Sequence, residues 1–386
     1  MTPFLRLVRA HAASVAGDAF VTVSLAGSLF FTVPSGEARP KVLLYLVLTM
    51  LPFAVVAPLL GPAIDRSRGG RRTIMAGGLA VRAVICLFMM QHLDSVFLYP
   101  AAFGVLVASK AHSVVKGALV PPLVEDRSEL VRANARLGVV SAVMGAIAGV
   151  PAAAMFKLFD SGVPLVFVAA LVFGGGAYLA MQVPRSDHEG RAPTDAERAE
   201  LREPSVVWAG WAQSAMRFGV GFLTFLVAFT LEREPIAFGV VIALAGIGSF
   251  LGTAMASAWR RRGSEEMMLV VAVIITAIVA LVAARVSGTI GLGLAVFVVG
   301  VGASIGKQAF DAIVQRDAPD AVRGRTFARF EMYFQIAWVA GGILPVIFGF
   351  VSERVGLFVL AVILAVAAAG YGYATFESRR DEGPLS

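Results

Sequence analysis

Charge-poor apolar runs of about twenty residues recur along the whole chain, and twelve of them can be marked out between clusters of Gly, Pro and charged residues. They lie at about 12–33, 42–63, 73–92, 96–118, 136–157, 163–183, 206–229, 236–258, 267–284, 289–312, 327–350 and 356–376. Each is long enough to cross the hydrocarbon of a bilayer, which takes ~20 apolar residues as a helix. In a bilayer every backbone polar group must be paired internally, so runs of this length read as helices. Composition agrees: 58% of the 386 residues are hydrophobic and 15% charged, against about a quarter charged in a soluble domain. The spans leave only short loops, so no separate soluble catalytic domain fits. The expected fold is an all-α polytopic membrane protein of twelve transmembrane helices. The first run, which follows Arg6 and Arg9 and contains Asp18, is read as a transmembrane helix and not as a cleaved leader.

The charges outside the runs are sorted by side. Of the 33 Lys and Arg residues, with Arg136, Lys157 and Arg329 at span edges counted in the adjoining loops, 22 fall in the two tails and the even-numbered loops, 6 in the odd-numbered loops, and 5 inside spans. Positive charge accumulates on the cytoplasmic side, so both termini are expected there. The same bias accounts for the net charge of +7 without invoking nucleic acid. The single cysteine, Cys86, allows no intramolecular disulfide, and the four histidines show no metal-ligand spacing. No metal, cofactor or catalytic residue is expected. Gly302-Ala-Ser304-Ile-Gly306 has the spacing of a nucleophile elbow, but inside an apolar helix its small residues serve close packing. A Gly-rich phosphate loop ending in Lys-Ser/Thr does not occur, which excludes ATP-driven pumping by this chain.

The chain also repeats itself. Gly61 to Arg72 follows the second span and Gly252 to Arg262 the eighth; Gly61 and Gly252, Arg71 and Arg262, and Lys116 and Lys307 share an offset of 191 residues. Ala135-Arg136 with Pro151 is echoed by Ala328-Arg329 with Pro345. The expected organisation is therefore two parallel six-helix repeats, residues 1–183 and 205–386, joined by a charged cytoplasmic loop at 184–204. Parallel repeats of this kind go with alternating access to a central site.

These motifs resemble the major facilitator superfamily. Gly61-x-x-x-Asp65-Arg66-x-x-Gly69-x-Arg71-Arg72 is similar to its signature between the second and third helices, with one extra residue before the second glycine. Val-Pro-Pro-Leu-Val and Ala-Asn-Ala within 119–135, and Arg323-Gly-Arg-Thr-Phe-Ala328, resemble the drug:proton antiporter-3 branch, neighbour to siderophore and macrolide exporters and lysophospholipid flippases. The resemblance implies a secondary transporter of the bacterial inner membrane, monomeric, exporting a small amphipathic compound against protons. A lysophospholipid flippase or an importer is the alternative, and a transport-inactive sensor or partner subunit a further one. It also implies a cytoplasmic latch built from Gly61, Asp65, Arg66, Gly69, Arg71 and Arg72; the plain alternative is that these arginines only set topology. Gly138, Gly145, Gly149 and Pro151 resemble an exporter-associated motif, although Val150 interrupts it, and helix packing explains them equally.

Charges inside a membrane are costly and face a cavity or a partner. Here they are Asp18, Arg82, Lys110, Lys116, Arg217, Lys307, Asp311 and Glu331. Six of the eight fall on spans 1, 4, 7 and 10, which line the central cavity in the resembled fold. Lys110 and Arg217, with His112 and Lys307, are the candidates for substrate contact. Asp18 and Asp311 are the candidates for proton coupling, although Asp18 could instead pair permanently with Lys116 or Lys307. Lys307 and Asp311, four residues apart, can also neutralise each other. Arg82, Lys116 and Glu331 read as structural. Five cations against three acids favour an anionic or zwitterionic substrate.

Overall fold

The computed structural model describes residues 2–25, 70–124, 129–184, 204–231, 234–258, 264–286, 288–318, 323–348 and 352–381. Among these it forms eleven α-helices and no strand: α1 Pro3–Leu25, α2 Arg71–Met89, α3 Leu98–Leu119, α4 Leu130–Phe159, α5 Val163–Met181, α6 Pro204–Thr230, α7 Pro235–Ala258, α8 Glu265–Val286, α9 Gly288–Asp317, α10 Arg323–Phe348 and α11 Glu353–Asp381. They correspond to spans 1 and 3–12. The second span, with Gly61, Asp65, Arg66 and Gly69 of the latch motif, lies outside the described residues, as does most of the 184–204 loop. Ten of the helices are long and apolar enough to cross a membrane. The remaining one, α1, carries Arg6, Arg9, His11 and Asp18 along its length, and polar neighbours receive the last two.

Hydropathy misplaced several helix ends. α1 starts at Pro3 instead of about 12, α4 at Leu130 instead of about 136, and α9 runs on to Asp317. An apolar window closes at the first charge, whereas a helix continues into the interface where charged side chains reach water. Pro3 suits a first helical turn, and the Leu5 amide donates to the Thr2 carbonyl just before it.

One end of the bundle, here called the basal face, collects the starts of α1, α2, α4, α6, α8 and α10. Arginines cap the helices that finish there. Arg71 donates to the carbonyl of Ala118 at the end of α3 (3.2 Å). Arg72 donates to those of Met181 and Val183 at the end of α5, joined by Arg6 on Gln182. Unpaired carbonyls and the negative end of the helix dipole make these favourable sites for cations. Both arginines of the latch motif that the structure describes thus hold neighbouring helix ends.

Packing follows a pattern that recurs. α1 packs on α4 and α5, and α2 on α3 and α5; six spans later α6 packs on α10 and α11, and α8 on α9 and α11. Between the two sets, α4 meets α7 and α9, and α3 meets α10. The closest crossings are made by glycine. A Cβ on Gly221 of α6 would overlap the Trp338 carbonyl of α10, and one on Gly341 that of Phe218. Gly248 and Gly252 of α7 face the Phe297 and Val301 carbonyls of α9 in the same way. Gly302 and Gly306 of the elbow-like motif turn towards Thr276 and Gln213, so they serve packing. In α4 only Gly138 is tightly met, by Thr253, while Gly149 has nothing within 4 Å. Gly221→Val is therefore expected to cost about 1–3 kcal/mol through overpacking, read as a lower melting temperature in detergent, with Gly149→Val close to the parent.

Candidate functional site: a basic cavity between the helix sets

Lys110 and Lys116 of α3, Arg217 of α6, Lys307 and Asp311 of α9, and Glu331 of α10 converge on one cavity of about 190 Å³. Ser113, Asn134 and Gln308 supply further polar lining. Lys307 is shared: its Nζ lies 2.5 Å from Asp311 and 3.0 Å from Glu331, and 6.0 Å from the Phe310 and Phe334 ring centres. Four cations against two carboxylates leave the cavity positive. It adjoins a second space of about 240 Å³, sharing Arg217, Lys307 and Gln308 but walled by Val220, Leu223, Val227, Val241, Val296 and Val299. A basic pole and an apolar wing thus meet at Arg217.

The sequence-predicted residues separate into groups. Lys110, Arg217 and Lys307, the candidates for substrate contact, line one cavity together with Asp311, a candidate for proton coupling. Lys116 and Glu331, read as structural, line the same cavity. Asp18 does not reach it: its carboxylate pairs with Arg82 at 3.0 and 3.2 Å and accepts from Ser109 at 3.0 Å. This corrects the expected partners, Lys116 or Lys307. Asp18 sits sixteen positions into α1, so its depth matches Arg82 on α2, while Lys116 lies closer to the basal face. Arg82 is wholly buried and stacks 4.6 Å from the Phe173 ring centre, so the pair crosses from α1 to α2 within one helix set.

His112 is also displaced from its expected place. It faces α1, where its Nε2 lies 3.3 Å from Nδ1 of His11; His11 Nε2 is 2.8 Å from the Ser141 hydroxyl of α4. His11 escaped the sequence reading because it fell one residue outside the predicted first span. Its spacing of seven from Asp18 places both on one face of the helix, which a longer helix would have revealed.

Two more clusters close the basal face. The Asn134 amide of α4 donates to Gln315 of α9 (2.7 Å) and accepts from it in return (3.2 Å), and Gln315 also donates to the Gly117 carbonyl of α3 (2.9 Å). Beside them the Phe327 ring lies against Gly117, 3.1 Å from where a Cβ would stand. Arg316 meets Glu265, Glu266 and Asp317 at 2.5–2.7 Å, and Ser205 donates to Asp317. A census of charges inside spans passes over neutral amides. The Arg316 cluster was legible as opposite charges at the ends of consecutive spans.

A polytopic helical bundle with paired packing patterns and a charged cavity between them is the architecture of a membrane carrier. The description of the Major Facilitator Superfamily matches residues 19–342, and the chain belongs to that family; it is a multi-pass membrane protein. Members of that family are non-enzymatic carriers. An uncharacterised protein of Mycobacterium leprae is 32% identical over 375 residues, covering 85% of this chain; the chain spans only 64% of that relative's length. An uncharacterised transporter of the same superfamily type from Mycobacterium bovis is 26% identical over 418 residues, with 93% and 91% of the two chains covered. In fold, the chain is similar to a bacterial homologue of the iron transporter ferroportin in an outward-facing state, with a TM-score of 0.78, 17% identity, and 97% and 100% of the two chains covered.

Proposed function

We propose that this chain is a secondary transporter working by alternating access, and that it exports a small amphipathic anion or zwitterion in exchange for protons. The observation that carries this is the cavity itself, where Lys110, Lys116, Arg217 and Lys307 outnumber Asp311 and Glu331 beside an apolar wing. An acidic headgroup would sit among Lys110 and Arg217, and its apolar part against Val220 and Val299. A lipophilic cation would meet an excess of like charge. Binding an anion near Lys307 competes with Asp311 and Glu331 for that ammonium, and protonation of Asp311 would relieve the competition. Asp18, held by Arg82 and Ser109, is better suited to fixing α1 against α2.

The recurring packing pattern supports two halves, 1–183 and 205–386, moving about the cavity, with the 184–204 segment between them. The positive-inside bias supports the basal face being cytoplasmic, with both termini on it, in a bacterial inner membrane. The Asn134–Gln315 contact then joins the two helix sets on the cytoplasmic side of the cavity. Export rests on the resemblance of 119–135 and 323–328 to the drug:proton antiporter-3 branch. A monomer is the state the resemblance implies. The apolar wing favours one second reading: a lysophospholipid flippase, or an importer, would use the same head-and-tail cavity.

The experiment is thermal stabilisation of the purified protein by a ligand panel, since a ligand bound only by the folded state raises stability by mass action. Lysophosphatidylglycerol and other anionic amphiphiles are expected to raise the melting temperature, and Arg217→Ala and Lys110→Ala to lose at least tenfold in affinity, ~1.4 kcal/mol or more. Stabilisation by lipophilic cations alone would contradict the reading.

A further inference from the structure

We propose that His11 and His112 form a one-proton binding site in the seam between α1, α3 and α4, where uptake of the proton favours opening of the basal face. The coupling role rests on the transport reading above; the site rests on its own geometry. Ser141 donates its hydroxyl proton to the Leu137 carbonyl, so its oxygen accepts from His11 Nε2–H. His11 Nδ1 is then a lone pair, and it accepts from His112 Nε2–H at 3.3 Å. Both neutral tautomers follow from this chain of donors. His112 Nδ1 is left as a buried acceptor with no hydrogen-bond partner among the described residues.

That lone pair is where one proton adds: hydronium from the aqueous side gives up the proton, its O–H bond breaks as the Nδ1–H bond forms, and water is left. The resulting His112 imidazolium still donates from Nε2 to His11, and the hydrogen bond becomes charge-assisted. A second proton would have to enter at His11 Nδ1, setting two N–H groups against each other. The pair therefore holds one.

In the basal-closed state the site is buried: His11 is 5% and His112 4% exposed. The charged groups bearing on it are Arg82 of α2 and Lys116 of α3, both cations. Arg82 is held by Asp18, seven residues along α1 from His11. α4 contributes the Ser141 hydroxyl, and among the described residues no ionisable group of α5 or α10 bears on either ring. A new positive charge is disfavoured in such a seam unless water reaches it. His112 is five residues from Gly117 on α3, and Ser141 seven from Asn134 on α4; both of those positions belong to the basal seal. Opening the seal is the motion that would admit water to the seam, so proton binding and opening are linked reciprocally.

The test uses spin labels at Leu5→Cys and Met267→Cys in a Cys86→Ala background. Both positions are exposed, at 43% and 42%, and start helices at the basal face. Lowering the pH from 8 to 5.5 is expected to raise the long-distance population, by up to about tenfold per pH unit for one linked proton. His11→Gln and His112→Gln are each expected to flatten that response. A response unchanged in both variants, or none in the parent, overturns the proposal. A single distance at every pH, and also with lysophosphatidylglycerol bound, would instead refute alternating access. Ring nitrogen NMR on the chain with both histidines intact guards against variants that fail to fold. Two Nε2–H tautomers that together take up one proton are expected, and two independent titrations would overturn the site.

Discussion

Asp18→Ala is expected to destabilise the folded protein by about 3 kcal/mol, the lower end of the cost of breaking a buried ion pair by removing one partner. The lower end applies because Asp18 keeps 31% exposure while Arg82 keeps none. The loss arises less from the contacts removed than from what remains, a buried guanidinium that stacks on Phe173 and donates to the Gly78 carbonyl, with no carboxylate beside it. Arg82 Nη2 already lacks a hydrogen-bond partner among the described residues, so no spare acceptor is at hand. Removing both charges should be far milder: Asp18→Leu with Arg82→Met is expected to recover most of the melting temperature in detergent. A double variant as unstable as the single one would mean that the pair does more than neutralise itself. Ligand affinity should survive in the double variant, because neither residue lines the basic cavity.

The second large effect falls on conformation. Gln315→Leu removes three hydrogen bonds between α9 and the α3–α4 pair and leaves the Asn134 amide and Gly117 carbonyl facing an apolar group. A buried polar group stripped of its partner costs about 1–3 kcal/mol. The penalty applies only while the basal face is closed, since water satisfies those groups once it opens. The closed population should therefore fall about tenfold for each 1.4 kcal/mol. Spin-label distances across the basal face report this directly, and Asn134→Leu should act in the same direction. Unchanged distances would show that the Phe327–Gly117 contact and the α4–α7 crossing hold the face closed without the amides.

The fold was legible because a membrane reduces the problem to length and hydropathy. Helix existence follows from apolar runs, whereas helix ends depend on capping and interfacial charges that hydropathy does not weigh. That is why Pro3, Leu130 and Asp317 lay outside the predicted bounds. Membrane charges pointed to the cavity: Lys110 of α3, Arg217 of α6 and the Lys307–Asp311 pair of α9 stand on three helices yet meet. The same census misassigned the partner of Asp18, because pairing depends on depth and rotation as well as on charge. Glu331 read as structural because its span is not among those lining the cavity in the resembled fold, and Lys116 as a pairing partner for Asp18, yet both line the cavity. Neutral polar residues carry no charge and so escape a census of charges. Asn134, Gln315, Ser109 and Ser141 matter through geometry, and only the packed helices reveal it.

The most direct test of the account is flux through the full chain reconstituted in vesicles. Fluorescent nitrobenzoxadiazole-labelled lysophosphatidylglycerol, assayed by protection from external dithionite, is the probe, with Arg217→Ala alongside. The account predicts protein-dependent, saturable movement, responsive to a proton gradient and reduced at least tenfold by the variant. Movement equal to that in protein-free vesicles, or unaffected by Arg217→Ala, would contradict it.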